Sequence, residues 1–387
     1  MKTMRAAAWL VLFASASALA QGMGKMAMPR VELGASAVFA ADGTLLAVAK
    51  QGEHVMLYRS GDEGRNWSAP VAVNAVPEAV SADGENRPKI AIAPDGAVLV
   101  SWTRPLGKPY SGEIRFARAD DGKSFEKPIT VHRDRQEITH RFETMIVDGA
   151  GRIHVAWIDK RDLETARTAK KGYRGAALYT AVSDDGGRSF RPEGKIADHS
   201  CECCRIAAAN DVDGAPLFLW RHVFEPNERD HMIAKVSRDG APVELRRATF
   251  DRWKIDACPH HGPSLAVAAD GTRHAVWFDQ VDGEGRVFHG RLADGRVEGQ
   301  RAVGGERAAH ADIALAGKRL VIVWKEFDGA RTQLRGEVSE DGGTSFKPVS
   351  LAATAGASDQ PRLLVRRDSL YAFWRTEREG MQVLPLK

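Results

Sequence analysis

Apolar residues come in short runs of four to seven along this chain, each broken by a polar turn. Lys89-Ile90-Ala91-Ile92-Ala93 leads to a turn at Asp95-Gly96, and Ala97-Val98-Leu99-Val100-Ser101-Trp102 follows. Two β-prone runs joined by a tight Asp-Gly turn predict a hairpin. The same unit returns with a fixed offset. Gly96, Gly151, Gly214 and Gly271 each stand six residues before a tryptophan, at Trp102, Trp157, Trp220 and Trp277. Lys318 to Trp324 and Asp368 to Trp374 keep that offset, and Gly43 to Ala49 keeps it with Ala in place of Trp. Past the first twenty residues no segment holds a helical period, so helices are expected to be few.

Seven such units recur at about fifty to sixty residues, the period of propeller blades. A second turn motif follows several of the hairpins. Ser60-Gly61-Asp62-Glu63-Gly64-Arg65-Asn66-Trp67, Ser183 to Phe190 and Ser339 to Phe346 share the form Ser-x-Asp-x-Gly-x-x-aromatic. Arg118 to Phe125 lacks only the serine, and Ser237-Arg238-Asp239-Gly240 and Ala293-Asp294-Gly295 read as worn copies. The residue types suit a turn: Asp accepts from backbone amides, Gly takes the positive φ, and the aromatic fills the space between strands.

These motifs resemble the Asp-box (BNR) repeats of the sialidase-like propellers. The resemblance implies an all-β propeller of four-stranded blades in one domain over residues 29–387, with the Asp-boxes on the face away from the ligand and without a catalytic part. Seven blades are preferred, six being the alternative. The last unit offers only Pro361 to Trp374 and one further run, Met381 to Leu386. Pro29-Arg30-Val31-Glu32-Leu33 is therefore expected to supply its fourth strand and close the ring.

Residues 1–20 read as an export signal: Lys2 and Arg5, a short apolar stretch, then Ala18-Leu19-Ala20 as the cleavage site before Gln21. The apolar stretch is shorter than the ~20 residues a membrane span needs. No cysteine follows the cleavage site to carry a lipid. The expected product is a periplasmic or secreted chain with a flexible Met-rich leader at 21–28 holding Met23, Met26 and Met28. The signal contains two of the 55 basic residues and none of the 51 acidic ones, leaving the mature chain nearly neutral. Nucleic-acid binding is disfavoured, since it needs a basic face.

Candidate chemistry gathers in the loops that lead into each blade. All four cysteines lie in two of them, His199-Ser200-Cys201-Glu202-Cys203-Cys204-Arg205 and Cys258-Pro259-His260-His261-Gly262. Counted back from the tryptophans, Cys203, His260 and His140 occupy equivalent positions in consecutive units, as do Cys204, His261 and Arg141. Neighbouring blades should bring them together at one rim. An even cysteine count in an oxidising compartment suits disulfides, from Cys258 to the first loop and within Cys201 to Cys204. Cys and His side by side also suit copper or zinc, with Cys201, Cys203, Cys204, Cys258, His260, His261 and His140 as candidate ligands. Arg87, Arg141, Arg205 and Arg362 recur near the same face, where guanidinium forks would clamp an acidic ligand.

Sialidases hold a sugar carboxylate with three arginines and use a tyrosine nucleophile. Here Leu33 stands where the first arginine belongs, with Arg30 out of register. Tyr110 and Tyr173 come too early in the chain, and Tyr371 falls within a predicted strand. Asp159 and Asp279 are the candidate acids. Two functions follow. One is an exported binding or accessory propeller with a Cys/His metal or redox site, whose ligand is a metal, a small molecule, a glycan or another protein. The other is a sialidase-type glycoside hydrolase acting on acidic sugars.

Overall fold

In the computed structural model, which describes residues 31–386, the chain forms seven antiparallel sheets in sequence order. They span residues 35–72, 89–130, 140–200, 207–247, 264–303, 308–354 and 362–386. The first strands of the blades (Ala35–Phe39, Lys89–Ile92, His140–Val147, Ala207–Asn210, Ser264–Val267, Ala308–Ala316 and Arg362–Arg366) each approach the first strands of both neighbours. The last of them meets the first, so the sheets close into a seven-bladed propeller. Among the described residues there is one α-helix, Arg161–Thr168, in the outgoing loop of blade three, and no helix is long and apolar enough to cross a membrane.

The recurrent hairpin forms as the sequence pattern requires. Ala93 and Ala97 close the turn of blade two around Gly96 at φ 85°, a left-handed conformation that glycine adopts freely. Six residues later the tryptophan enters the space between blades: Trp102, Trp157, Trp220, Trp277, Trp324 and Trp374 are all buried. Apolar side chains gather into seven clusters, each shared by two successive blades, so every blade covers its neighbour's faces. The Ser-x-Asp-x-Gly turns are self-contained. Ser183 Oγ donates to Asp185 and accepts from the Gly187 amide, both at 2.8 Å, while Asp185 accepts from the Ser189 amide at 2.9 Å. The copies at Ser60 and Ser339 repeat these contacts.

Six blades have four strands, and the seventh has three among the described residues. Of the segment expected as its fourth strand, Pro29 and Arg30 lie outside the described residues, and Val31 to Leu33 form no strand. The chain turns inward here instead. The Gly34 amide donates to the Ala82 carbonyl at 2.7 Å, and the Ala35 amide donates to Asp359 at 3.1 Å. A Cβ on Gly34 would sit 2.5 Å from the Ala82 oxygen, so only glycine permits this approach. The ring closes by side-chain burial between blades seven and one. Leu364, Tyr371 and Phe373 pack on Ala35, Leu45 and Ala47, and Val383 abuts Gly64 in the first blade's turn.

Candidate metal centre

The loop Cys201–Arg205 runs from the outer strand of blade three (Gly194–Ser200) to the first strand of blade four. Both of its ends are tied: the Cys201 amide donates to the Arg221 carbonyl at 2.9 Å, and the Arg205 amide donates to Glu85 at 2.9 Å. Between these ties the chain folds three cysteine side chains onto one another inside the core shared by blades three and four. Cys201, Cys203 and Cys204 are buried. Cys203 Sγ lies 3.8 Å from each of the other two, and all three sulfurs lie within 4.8 Å of one another. A disulfide needs about 2.05 Å, and all four cysteines are free thiols. The expected bridges are therefore not formed. Cys258, from the loop into blade five, is exposed and lies outside this trio.

Two arginines face the sulfurs. Arg229 Nη1 lies 3.4 Å from Cys201 Sγ. Arg221, fully buried, reaches toward Cys201 and Cys204 on one side and lies 3.6 Å from Asp279 on the other. The Cys203 and Cys204 thiols, and then the charges of Arg221 and Arg229, hold Cys201 well below the usual thiol range. The shared contacts push Cys203 and Cys204 upward.

The histidines do not join the sulfurs. Among the described residues, the cysteine trio and Asp230-Asp251-Asp279 are the groups of three or more candidate ligands that converge within 4.8 Å. His260 is exposed. His261 stacks on Phe278 at 4.1 Å and on His310 at 4.3 Å, and burial lowers it to about 3. His140 stacks on His132 at 4.1 Å and pairs with the Gly112 carbonyl at 3.0 Å, deep in blade three. Equivalence around the ring brought the two cysteine loops together, but the imidazoles of His140 and His261 were drawn into aromatic stacks and that of His260 stays exposed.

The arginines expected to clamp a ligand are largely committed to the protein itself. Arg87 is buried and forms a two-pronged pair with Asp359, at 2.7 and 2.9 Å. Arg205, also buried, donates to Glu85 at 3.1 Å, Gln360 at 2.8 Å and the Ala311 carbonyl at 2.7 Å. Arg362 and Arg141 are half-buried; Arg362 lies 3.3 Å from Asp312, and Arg141 rests over the Phe142 ring at 5.0 Å. Asp159 accepts from the Trp157 indole at 2.9 Å and from Arg161 at 2.7 Å. Its oxygens are engaged within the protein. Tyr173 donates to Asp198 at 2.8 Å, and Tyr371 is buried with its hydroxyl 3.1 Å from Glu63. Asp279 differs: burial pushes it up to about 8, and its Oδ2 has no hydrogen-bond partner.

Arg229, Glu85 and Gln360 belong to the site's surroundings, and no spacing in the sequence points to them. Glu85 lies 120 residues from Arg205 and Gln360 155. Only ring closure makes them neighbours.

The molecule belongs, by its architecture, with the seven-bladed β-propellers. In backbone it is similar to a polysaccharide lyase of family PL25, an ulvan lyase bound to -[GlcA(1-4)Rha3S]-, with a TM-score of 0.59, 12% identity and coverage of 90% of each chain. It is similar also to the polysaccharide lyase Uly1, with a TM-score of 0.59, 12% identity and coverage of 92% of this chain and 91% of that one. The leech intramolecular trans-sialidase complexed with 2,7-anhydro-Neu5Ac gives a TM-score of 0.51 at 9% identity, covering 89% of this chain and 82% of that one. At these identities the likeness is one of fold. No protein-family model matches the sequence, and no curated protein matches it.

Proposed function

We propose that this is an exported propeller, related to the sialidase-like Asp-box group, that binds a soft metal ion, copper or zinc, through the thiols between blades three and four and acts as a binding or accessory protein. One observation carries the reading: three buried, unbridged cysteine sulfurs converge with 3.8 Å contacts. Sulfurs about 2.3 Å from a shared ion sit about 3.8 to 4.0 Å from one another, so the cluster already has the spacing of a ligand set. Burying three thiols against each other has little value for a core, and thiolates select soft ions. Arg221 and Arg229 supply the positive charge that lets such ligands ionise away from water. The test is metal analysis of protein purified anaerobically from its native compartment. About one copper or zinc per chain is expected, and it should be lost in the Cys201→Ser, Cys203→Ser and Cys204→Ser variants. A metal-free protein with all four thiols reactive would count against the reading.

A glycan-directed function is the second reading, favoured by whole-chain likeness to the ulvan lyases and the trans-sialidase. The internal commitments of Arg87 and Arg205 weigh against a sialidase among such functions. Turnover of a fluorogenic sialoside, abolished by Arg362→Ala, would favour it over the metal reading.

A further inference from the structure

We propose, building on the thiolate-site reading, that the ion is copper(I) and that it enters and leaves through Cys258. Three sulfurs converge inside the core, while the fourth stands outside that group, exposed, on a loop that meets the trio's loop at Glu85. A structural zinc site is closed by four ligands around the ion. Three buried thiolates with a fourth at the surface instead suit a three-coordinate soft ion with a thiol at its door. Charge agrees: copper(I) with three thiolates carries two negative charges, and two guanidiniums, Arg221 and Arg229, face the cluster.

The meeting of the two loops is fixed. A single oxygen of Glu85 accepts from the Arg205 amide and from the Gly262 amide, each at 2.9 Å. One of these amides directly follows the cysteine trio, and the other lies four residues beyond Cys258. The carboxylate therefore pins both thiol-bearing loops to one point, and Glu85 is a positioning residue for the pair Cys203 and Cys258. A Cβ on Gly262 would come within 2.2 Å of the Arg205 side chain, so the loops are in close contact there.

Transfer is a ligand exchange. A copper(I) donor with thiolate ligands meets Cys258, which gives its proton to solvent and forms a copper–sulfur bond as one donor thiolate leaves and takes up a proton. Cys203 then displaces Cys258 from the copper, its proton passing to the departing Cys258 thiolate, and Cys201 and Cys204 replace the donor's remaining ligands, each giving up its proton as a donor thiolate leaves and takes one up. Copper stays monovalent throughout and no electron moves.

Copper(I) supplied anaerobically as its bicinchoninate complex tests this on the whole exported chain, comparing wild type, Cys258→Ser and Cys203→Ser. Cys258 is exposed, so its replacement leaves the core intact. The Cys258→Ser variant should reach the wild-type end point and affinity but load about tenfold more slowly, whereas Cys203→Ser should lose affinity. Glu85→Gln should slow loading like Cys258→Ser, with the end point retained. If Cys258→Ser weakens the end point as much as Cys203→Ser, the site is a closed four-sulfur one. If it loads at the wild-type rate, Cys258 has no part in transfer. Either result overturns the proposal while leaving a thiolate site standing. A wild type that takes up no copper but binds zinc also overturns it, and one that binds neither removes the thiolate site itself.

Discussion

Asp279 sits at the back of the thiol cluster, with Arg221 between the two. Burial, set against the pull of Arg221, pushes its carboxyl up to about 8. An unfolded aspartate releases its proton near pH 4. Between roughly pH 4 and 8 the folded chain therefore holds a proton that the unfolded chain has lost, and stability from this group falls as pH rises through that window. Asp279→Asn keeps a neutral side chain at all these values. Urea unfolding followed by tryptophan fluorescence should show that the variant lacks this part of the decline and gains on wild type between about pH 4 and 8, the advantage levelling off above that. A variant with the wild-type pH profile would mean that Asp279 is ionised in the fold. At this scale the sequence marks out the thiol trio because Cys201, Cys203 and Cys204 fall within four residues of one loop. It does not reveal that His261 prefers Phe278 and His310 to the sulfurs, since stacking depends on side chains brought in by a later strand of its own blade and by the next blade.

The repeated element is legible because its physics is local. Strand, Asp-Gly turn and strand need only adjacent residues, and the tryptophan six positions on has one place to go, between sheets. The Ser-x-Asp-x-Gly turn is equally local. Ser183 is buried and serves both Asp185 and the Gly187 amide. Ser183→Ala leaves a buried amide without a partner, and a loss of about 1–3 kcal/mol is expected, read as a lower urea midpoint with an unchanged slope. An unaltered midpoint would show that water replaces the hydroxyl. Among the described residues blade seven has three strands, which marks the limit of this local reading. Val31 to Gly34 have the composition of a strand edge, yet the amides of Gly34 and Ala35 are engaged by Ala82 and Asp359 near the centre of the ring.

At the scale of the whole ring, buried ion pairs bridge blades that are far apart in sequence. Arg87 and Asp359 join the incoming loops of blades two and seven, 272 residues apart. Arg205 and Glu85 join those of blades four and two. These contacts explain why arginines that recur near the ligand face are absorbed by the fold. Breaking a buried pair on one side leaves a stranded charge, so Arg87→Met should cost about 3–5 kcal/mol, and Arg87→Met with Asp359→Leu should recover most of it. Equal losses in the single and double variants, measured by urea unfolding, would refute a net role for the pair. The thiols come from the incoming loops of two successive blades, four and five, which Glu85 of blade two pins to one point. X-ray absorption at the metal edge of the natively loaded protein addresses that arrangement most directly. A first shell made of sulfur alone, at copper or zinc, is the predicted spectrum; nitrogen or oxygen neighbours in place of sulfur, or no bound metal to record, would contradict it.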